Sequence, residues 1–83
     1  MTDAEVVLDF IRDELLDEEV EIDEDTSLFR AQLLDSMNLT ALITFLEQTF
    51  AIRIGAIDVV YENLDTVRHM LSFVERKRAG QPA

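Results

Sequence analysis

The chain has 83 residues, a formal net charge of −11 at pH 7 and an apolar fraction of 48%. This length allows a single small domain, and the apolar fraction is typical of a globular chain and too high for a disordered one. Because there is no cysteine and only one histidine, His69, the composition excludes disulfides, thiolate chemistry and a histidine-based metal cluster.

The negative charge is concentrated near the N-terminus, since thirteen of the eighteen acidic residues lie at or before Asp35. Such a chain repels nucleic acid and anionic membranes, and it attracts basic patches on partner proteins. The acidity also has a simpler interpretation, because net charge keeps a small protein in solution. No run approaches the roughly 18 apolar residues of a membrane span, so we expect a soluble, cytoplasmic monomer that does not insert into membranes.

The first amphipathic pattern predicts helix one from about residue 3 to residue 16 or 17. Thr2 or Asp3 suits its N-cap, and the acidic side chains of Asp3 and Glu5 suit the positive end of the helix dipole. Phe10 lies at the edge of the apolar stripe. The stripe itself, with spacings of three and four, consists of Ala4, Val7, Leu8, Ile11 and Leu15.

A long connection, residues 18–35, follows helix one. Its first half is highly acidic, whereas Leu28 and Phe29 provide apolar anchors in the second half, so we expect an ordered loop. The acids raise the question of a calcium-binding loop that starts at Asp23. This is rejected, because Leu28 would stand where such a loop needs glycine and Leu34 where it needs glutamate.

Helix two is predicted from residue 36 or 37 to residue 50. Met37 and Phe45 are apolar residues outside its main stripe. Isolated apolar residues are common on protein surfaces, so these two are either tolerated there or part of a docking surface. The main stripe consists of Leu39, Leu42, Ile43, Leu46 and Phe50.

The segment after helix two indicates a turn and then a short helix. Gly55 lies in the connection of residues 51–56, where glycine can take backbone angles that other residues avoid. A short helix three is predicted from residue 57 to residue 61 or 62. We expect it to end before Asn63, because asparagine competes for backbone hydrogen bonds.

Helix four is predicted from residue 66 to about residue 78, with Asp65 as its N-cap. Basic side chains in its last turn offset the negative end of the helix dipole. Residues 79–83 are expected to form a flexible tail outside a single domain of residues 1–78. The predicted stripe consists of Val67, Met70, Leu71 and Val74.

The motif Asp35-Ser36-Met37 opens helix two. Taken alone, a serine at this position is a common N-cap residue. Together with the acidic helical pattern, the long first loop and the run at residues 63–67, the motif resembles the acyl and peptidyl carrier proteins over about residues 4–78. The resemblance implies an all-α four-helix bundle with a short third helix and a long loop between helices one and two.

The resemblance also implies a function. In that family the serine that corresponds to Ser36 receives 4'-phosphopantetheine from coenzyme A, through a phosphopantetheinyl transferase. Asp35 helps to position the transferase and its metal ion, and Met37 follows the attachment site. The arm ends in a thiol that holds acyl or aminoacyl groups as thioesters. The chain is therefore expected to be a freestanding carrier and not an enzyme, charged by an acyl- or aminoacyl-loading ligase and discharged by separate transferases or synthases.

Helix two is predicted to bind these enzymes, and no metal site is predicted in the chain. Because the helix has fewer acids than fatty acid carriers usually show, we expect apolar contact to matter more than charge at this surface. The alternative is an unmodified helical interaction module with the same bundle, whereas an enzyme lacks support because no catalytic constellation is present. The predicted docking residues are Met37, Asn38, Ala41, Phe45, Glu47 and Gln48.

Overall fold

The computed structural model describes residues 1–17 and 19–80. Within these residues every regular element is helical, so the predicted all-α four-helix bundle, with its short third helix and long first connection, is confirmed. None of these helices combines the length and the apolar surface that a membrane crossing requires. The elements are α1 (Asp3–Phe10), a π-helical turn (Ile11–Leu15), α2 (Ser36–Phe50), a 3-10 turn (Ala56–Asp58), α3 (Tyr61–Leu64) and α4 (Val67–Gly80).

Helix α1 begins at a side-chain cap and ends in a widened turn. Thr2 is the N-cap, because its hydroxyl accepts a hydrogen bond from the Glu5 N–H at 3.2 Å. The π-helical turn that follows α1 is closed by the Leu16 N–H, which donates to the Ile11 carbonyl at 3.0 Å. Helical structure therefore ends within two residues of the predicted end.

The core is formed by residues of the predicted stripes of α1, α2 and α4, joined by residues of the connections, but Ile43 of the α2 stripe is not part of it. The stripe residues Ala4, Leu15, Leu39 and Leu71 are only partly buried. Phe73, three residues after Met70 and on the same side of α4, is also buried and was not predicted. Burial of this apolar surface is the main term that favours folding. The buried apolar residues are Val7, Leu8, Ile11, Ile22, Leu28, Leu34, Leu42, Leu46, Phe50, Ile52, Leu64, Val67, Met70, Phe73 and Val74.

The long connection between the first helical segment and α2 is held by side chains from both ends of the chain. Ile22, Leu28 and Leu34 are buried in the core, as expected for an ordered loop. The guanidinium of Arg12 donates to the Ile22 carbonyl at 2.7 Å. On the other side, Arg68 of α4 donates to both carboxylate oxygens of Asp25, at 2.6 and 3.1 Å. The path of the loop is thus set by the π-helical turn after α1 and by α4.

Asp65 is not the N-cap of α4, contrary to the prediction. It is a buried residue that ends α3, and the hydroxyl of Thr66 caps α4 instead, accepting from the His69 N–H at 3.0 Å. The carboxylate of Asp65 already accepts hydrogen bonds from the long connection, so the next residue, Thr66, caps α4. The donors to Asp65 are the Ser27 hydroxyl (2.6 Å), the Phe29 N–H (2.8 Å) and the Arg30 N–H (3.0 Å) on the carboxylate, and the Leu28 N–H (2.8 Å) on the carbonyl.

Helix three lies later in the chain than predicted, at Tyr61–Leu64. Residues 56–58 form a 3-10 turn instead, because the Gly55 N–H donates to the Asp58 carboxylate at 3.0 Å and fixes that turn. Asn63, expected beyond the end of the helix, lies inside it. Its side-chain amide donates to the Asp58 carbonyl at 2.9 Å, so the asparagine joins the two turns.

The chain leaves α2 through Ala51 and not through special angles at Gly55. Ala51 adopts left-handed angles, φ 55° and ψ 47°, whereas Gly55 has φ −93°, which any residue adopts. The expectation for Gly55 is therefore wrong. The reversal occurs one residue after the helix because a left-handed C-cap satisfies its terminal carbonyls, here through the Ala51 N–H bond to the Glu47 carbonyl.

The C-terminal half of α4 is anchored through its basic side chains. Lys77 forms an ion pair with Asp58 at 3.0 Å, and Arg78 donates to the Phe50 carbonyl at 3.2 Å. These contacts keep the last turns helical, so α4 continues two residues beyond its predicted end. Residues 81–83 of the expected tail lie outside the described residues.

Added salt is expected to raise the melting temperature. Most N-terminal acids are exposed, and salt shortens the screening length between them from about 30 Å at 0.01 M to about 10 Å at 0.1 M. The described residues form three ion pairs, and exposed pairs contribute little, so relief of repulsion dominates. Thermal unfolding in a sodium chloride series measures the effect, with sucrose of matched osmolality as control. A melting temperature that stays constant or falls contradicts this prediction.

Candidate functional site

The start of α2 is organised by Asp35. This residue has extended backbone angles, and its carboxylate accepts a hydrogen bond from the Asn38 N–H at 3.0 Å. In return, the Asn38 side-chain oxygen accepts from the Asp35 N–H at 3.1 Å, which completes a capping box. Asp35 is therefore the N-cap, and the alternative that Ser36 serves as the cap is wrong.

Ser36 is the first residue of α2, and its side chain is exposed. Among residues 1–17 and 19–80, no hydrogen bond uses its hydroxyl, because Asp35 already fills the capping role. The hydroxyl thus stands free at the positive end of a 15-residue helix. A negatively charged group attached there is stabilised by the helix dipole and by free N–H groups of the first turn.

Ser36 borders a cleft with a volume of about 580 Å³. The cleft lies between the end of the long connection, the first turns of α2 and the segment around α3. Its walls are mostly apolar, which suits the burial of an uncharged chain. No local sequence pattern indicates this cleft, because its walls come from segments far apart in the chain. The lining residues are Phe29, Leu34, Asp35, Ser36, Leu39, Val59, Val60, Tyr61, Glu62 and Leu64.

Exposed apolar side chains surround this region. Met37, directly after Ser36, is 82% exposed, and Ile57 in the 3-10 turn is 89% exposed. Val60 and Tyr61 are 44% and 51% exposed and line the cleft. Val60 and Tyr61 thus give the cleft exposed apolar walls, whereas Ile57 is not among the residues that line it. The sequence signal was available, since Ile57, Val60 and Tyr61 fall outside every core stripe.

The other predicted docking residues differ in how accessible they are. Asn38 is held in the capping box, and Ala41 is half-buried. Phe45 stacks on Phe10, with ring centroids 4.0 Å apart and an interplanar angle of 9°. The Glu47 carboxylate accepts a hydrogen bond from the Ile54 N–H at 2.9 Å. Met37 and Gln48 are therefore the predicted docking residues whose side chains are most accessible.

One wall of the cleft is fixed electrostatically by Asp65. Burial by itself raises the pKa of Asp65, but hydrogen bonds from Ser27, Arg30 and Phe29, together with the charge of Arg30, hold that pKa below its usual value. The carboxylate is therefore ionised at neutral pH and keeps its three donors in place. Within the described ranges, no three acidic or histidine side chains are grouped so as to hold a metal ion.

Comparison with known proteins agrees with this geometry. The family model described as "Phosphopantetheine attachment site" matches residues 5–74. The protein named D-alanyl carrier protein in Abiotrophia defectiva is similar to this chain, with 31% identity over 76 residues. That alignment covers 92% of this chain and 96% of the relative.

Proposed function

The chain belongs to the phosphopantetheine attachment family, and from that premise we propose that Ser36 is the residue that carries the 4'-phosphopantetheine arm. The protein is a carrier and not an enzyme. The observation that carries the proposal is the free, exposed hydroxyl of Ser36 at the first position of α2, beside a cap supplied by Asp35. The bound arm supplies a thiol that holds a cargo group as a thioester.

The residues around Ser36 fit such an arm. The Ser36 oxygen is accessible, so an external transferase can direct it at the phosphorus of coenzyme A. The bond from Oγ to phosphorus then forms, the bond to the adenosine bisphosphate leaving group breaks, and a base of the transferase accepts the hydroxyl proton. The capping box keeps Asp35 in one orientation beside this oxygen, and the cleft provides an apolar wall along which an arm can lie.

We propose further that the cargo is an aminoacyl group, with D-alanine as the first candidate. The support is similarity to a relative named D-alanyl carrier protein over nearly the full length of both chains. The partners are then a phosphopantetheinyl transferase, a ligase that activates the amino acid and an enzyme that accepts it. Apart from Glu47, α2 carries no acidic residue after its N-cap, which also separates it from carriers with an acidic second helix.

Modification is tested by incubating the protein with coenzyme A, Mg²⁺ and a transferase of broad specificity. Intact mass should show one phosphopantetheine, and peptide mapping should place it on Ser36. A known carrier converted in the same tube is the control. If that control is fully converted and this protein is unchanged, the protein is an unmodified interaction module and the proposal fails.

The cargo is tested separately, by incubating the modified protein with D-alanine, L-alanine or acetate, each with ATP and a matching ligase, and measuring the mass of the thioester.

Met37→Ala is expected to slow loading by the cognate ligase while leaving stability almost unchanged. Met37 is 82% exposed, so its removal costs the folded protein little burial. Apolar anchors in a docking surface can each contribute more than about 1 kcal/mol, which corresponds to roughly fivefold or more in kcat/KM. Loading kinetics and melting curves are measured together. Thr49→Ala, an exposed change near the end of α2 and outside the predicted docking residues, is the matched control.

Charge-dependent docking would give a different pattern. Glu62, exposed and at the cleft, is a suitable probe, whereas Glu47 is unsuitable because its carboxylate binds a backbone N–H. If Glu62→Gln slows loading more than Met37→Ala does, and added salt reproduces that loss, then docking is electrostatic and the prediction for Met37 is wrong.

Phe45→Ala is expected to lower stability, since its ring stacks on Phe10.

A further inference from the structure

Arg30 packs against Tyr61, one of the residues that line the cleft beside Ser36, and does not itself line the cleft. Its guanidinium carbon lies 4.9 Å from the centroid of the Tyr61 ring, and Tyr61 lines the cleft together with Ser36. The turn that carries Arg30 is closed at its base, because the N–H of Leu34 donates to the carbonyl of Leu28 at 3.0 Å. Ser36 follows Leu34 by two residues, so the turn that carries Arg30 leads into the start of α2.

The backbone of Arg30 is fixed. Its N–H donates to the carboxylate of Asp65 at 3.0 Å, next to the Phe29 N–H at 2.8 Å. These two bonds fix the point at which the arginine side chain leaves the backbone. The aromatic face of Tyr61 holds the guanidinium from one side and does not use its N–H donors.

Within residues 1–17 and 19–80 no carboxylate lies at ion-pair distance from the Arg30 guanidinium, although its charge acts on the Asp65 carboxylate at longer range. Three other basic side chains in those ranges form ion pairs: Arg12, Arg68 and Lys77. Arg76 and Arg78 donate to an amide oxygen and a carbonyl, and Arg53 resembles Arg30 in having no ion pair within those ranges. Even Glu62, which lines the same cleft, does not come within ion-pair distance of Arg30. A guanidinium without a carboxylate at ion-pair distance, in a chain of net charge −11, is available to bind an anion.

We propose that Arg30 binds the phosphodiester that joins Ser36 to its arm, and that this contact directs the arm along the cleft. The inference rests on the proposed attachment at Ser36. A phosphodiester at this position lies beside the Asp35 carboxylate, so a nearby cation adds to the stabilisation that the N-terminus of α2 provides. The planar guanidinium matches two non-bridging phosphate oxygens with parallel N–H groups, an arrangement that a lysine cannot reproduce.

The test is a thermodynamic cycle of four proteins, the unmodified and phosphopantetheine-modified forms of the wild type and of Arg30→Gln. Comparing the change in melting temperature on modification removes any effect of Arg30 on the fold itself. The ³¹P resonance of the phosphodiester is recorded for both modified proteins. Arg53→Gln is the matched control, because Arg53 is exposed and lies beyond the far end of α2, roughly 22 Å away by helix length and outside the screening length.

With Arg30 present, modification should raise the melting temperature by about 1–5 °C more than it does in Arg30→Gln. The ³¹P resonance should shift in modified Arg30→Gln and stay unchanged in modified Arg53→Gln. If Arg30→Gln behaves as Arg53→Gln does in both measurements, while intact mass shows full modification, this inference is overturned and the proposed function stands. If no modification occurs at Ser36, both are overturned.

Discussion

Ser36→Ala is expected to abolish addition of phosphopantetheine and to leave the fold nearly unchanged. The reaction needs the hydroxyl oxygen, and no other group replaces it at the first position of α2. The stability change should stay within about 0.5 kcal/mol, because the hydroxyl takes no part in the hydrogen bonds of the described residues and Asp35 provides the cap. Intact mass after incubation with coenzyme A and transferase measures the first effect, and urea unfolding measures the second.

Two further variants separate loss of the hydroxyl from loss of local structure. Ser72→Ala removes an exposed serine from α4 and should be modified as the wild type is. Asp35→Ala keeps the hydroxyl, breaks the capping box at a cost of about 1 kcal/mol and removes the carboxylate expected to help position the transferase, so it reports these two effects together. Continued modification of Ser36→Ala, mapped to another residue, would refute the assignment of the site.

Asp65→Ala is expected to lower the free energy of unfolding by about 3 kcal/mol or more. The variant loses three hydrogen bonds to an ionised carboxylate and leaves the donors of residues 27, 29 and 30 without their acceptor. For a domain of this size such a loss is a large part of the typical total of about 5–15 kcal/mol. Urea unfolding measures it, with Asp13→Ala as control, because Asp13 is exposed. A loss no larger than that of the control would contradict the role of Asp65.

The effect of Asp65 should also depend on pH. Because the folded protein holds the pKa of Asp65 below the ordinary value of 3.8, its contribution to stability is fully present above that value. It is lost as the pH falls through the lower pKa of the folded state. The difference in unfolding free energy between wild type and Asp65→Asn should therefore be constant near neutral pH and shrink in acid. A difference in unfolding free energy that grows in acid would show that the predicted direction of this pH dependence is wrong.

The sequence by itself determined the features that depend on near neighbours in the chain. The stripes of α1, α2 and α4 and the bounds of α2 follow from residues three and four positions apart, whose side chains share one face of a helix. The motif at Ser36 was visible for the same reason, since an accessible serine at a helix start is a local arrangement.

The tertiary structure decided what distant residues do to one another. Asp65 looks like a helix cap until the long connection supplies three donors to its carboxylate, from residues more than thirty positions earlier. The third helix begins later in the chain than predicted for a related reason, because Asp58 and Asn63 form contacts that compete with local helix propensity. The cleft beside Ser36 likewise exists only where the connection packs against α2 and α3. Such contacts depend on the packing of the whole core, and no local pattern encodes them.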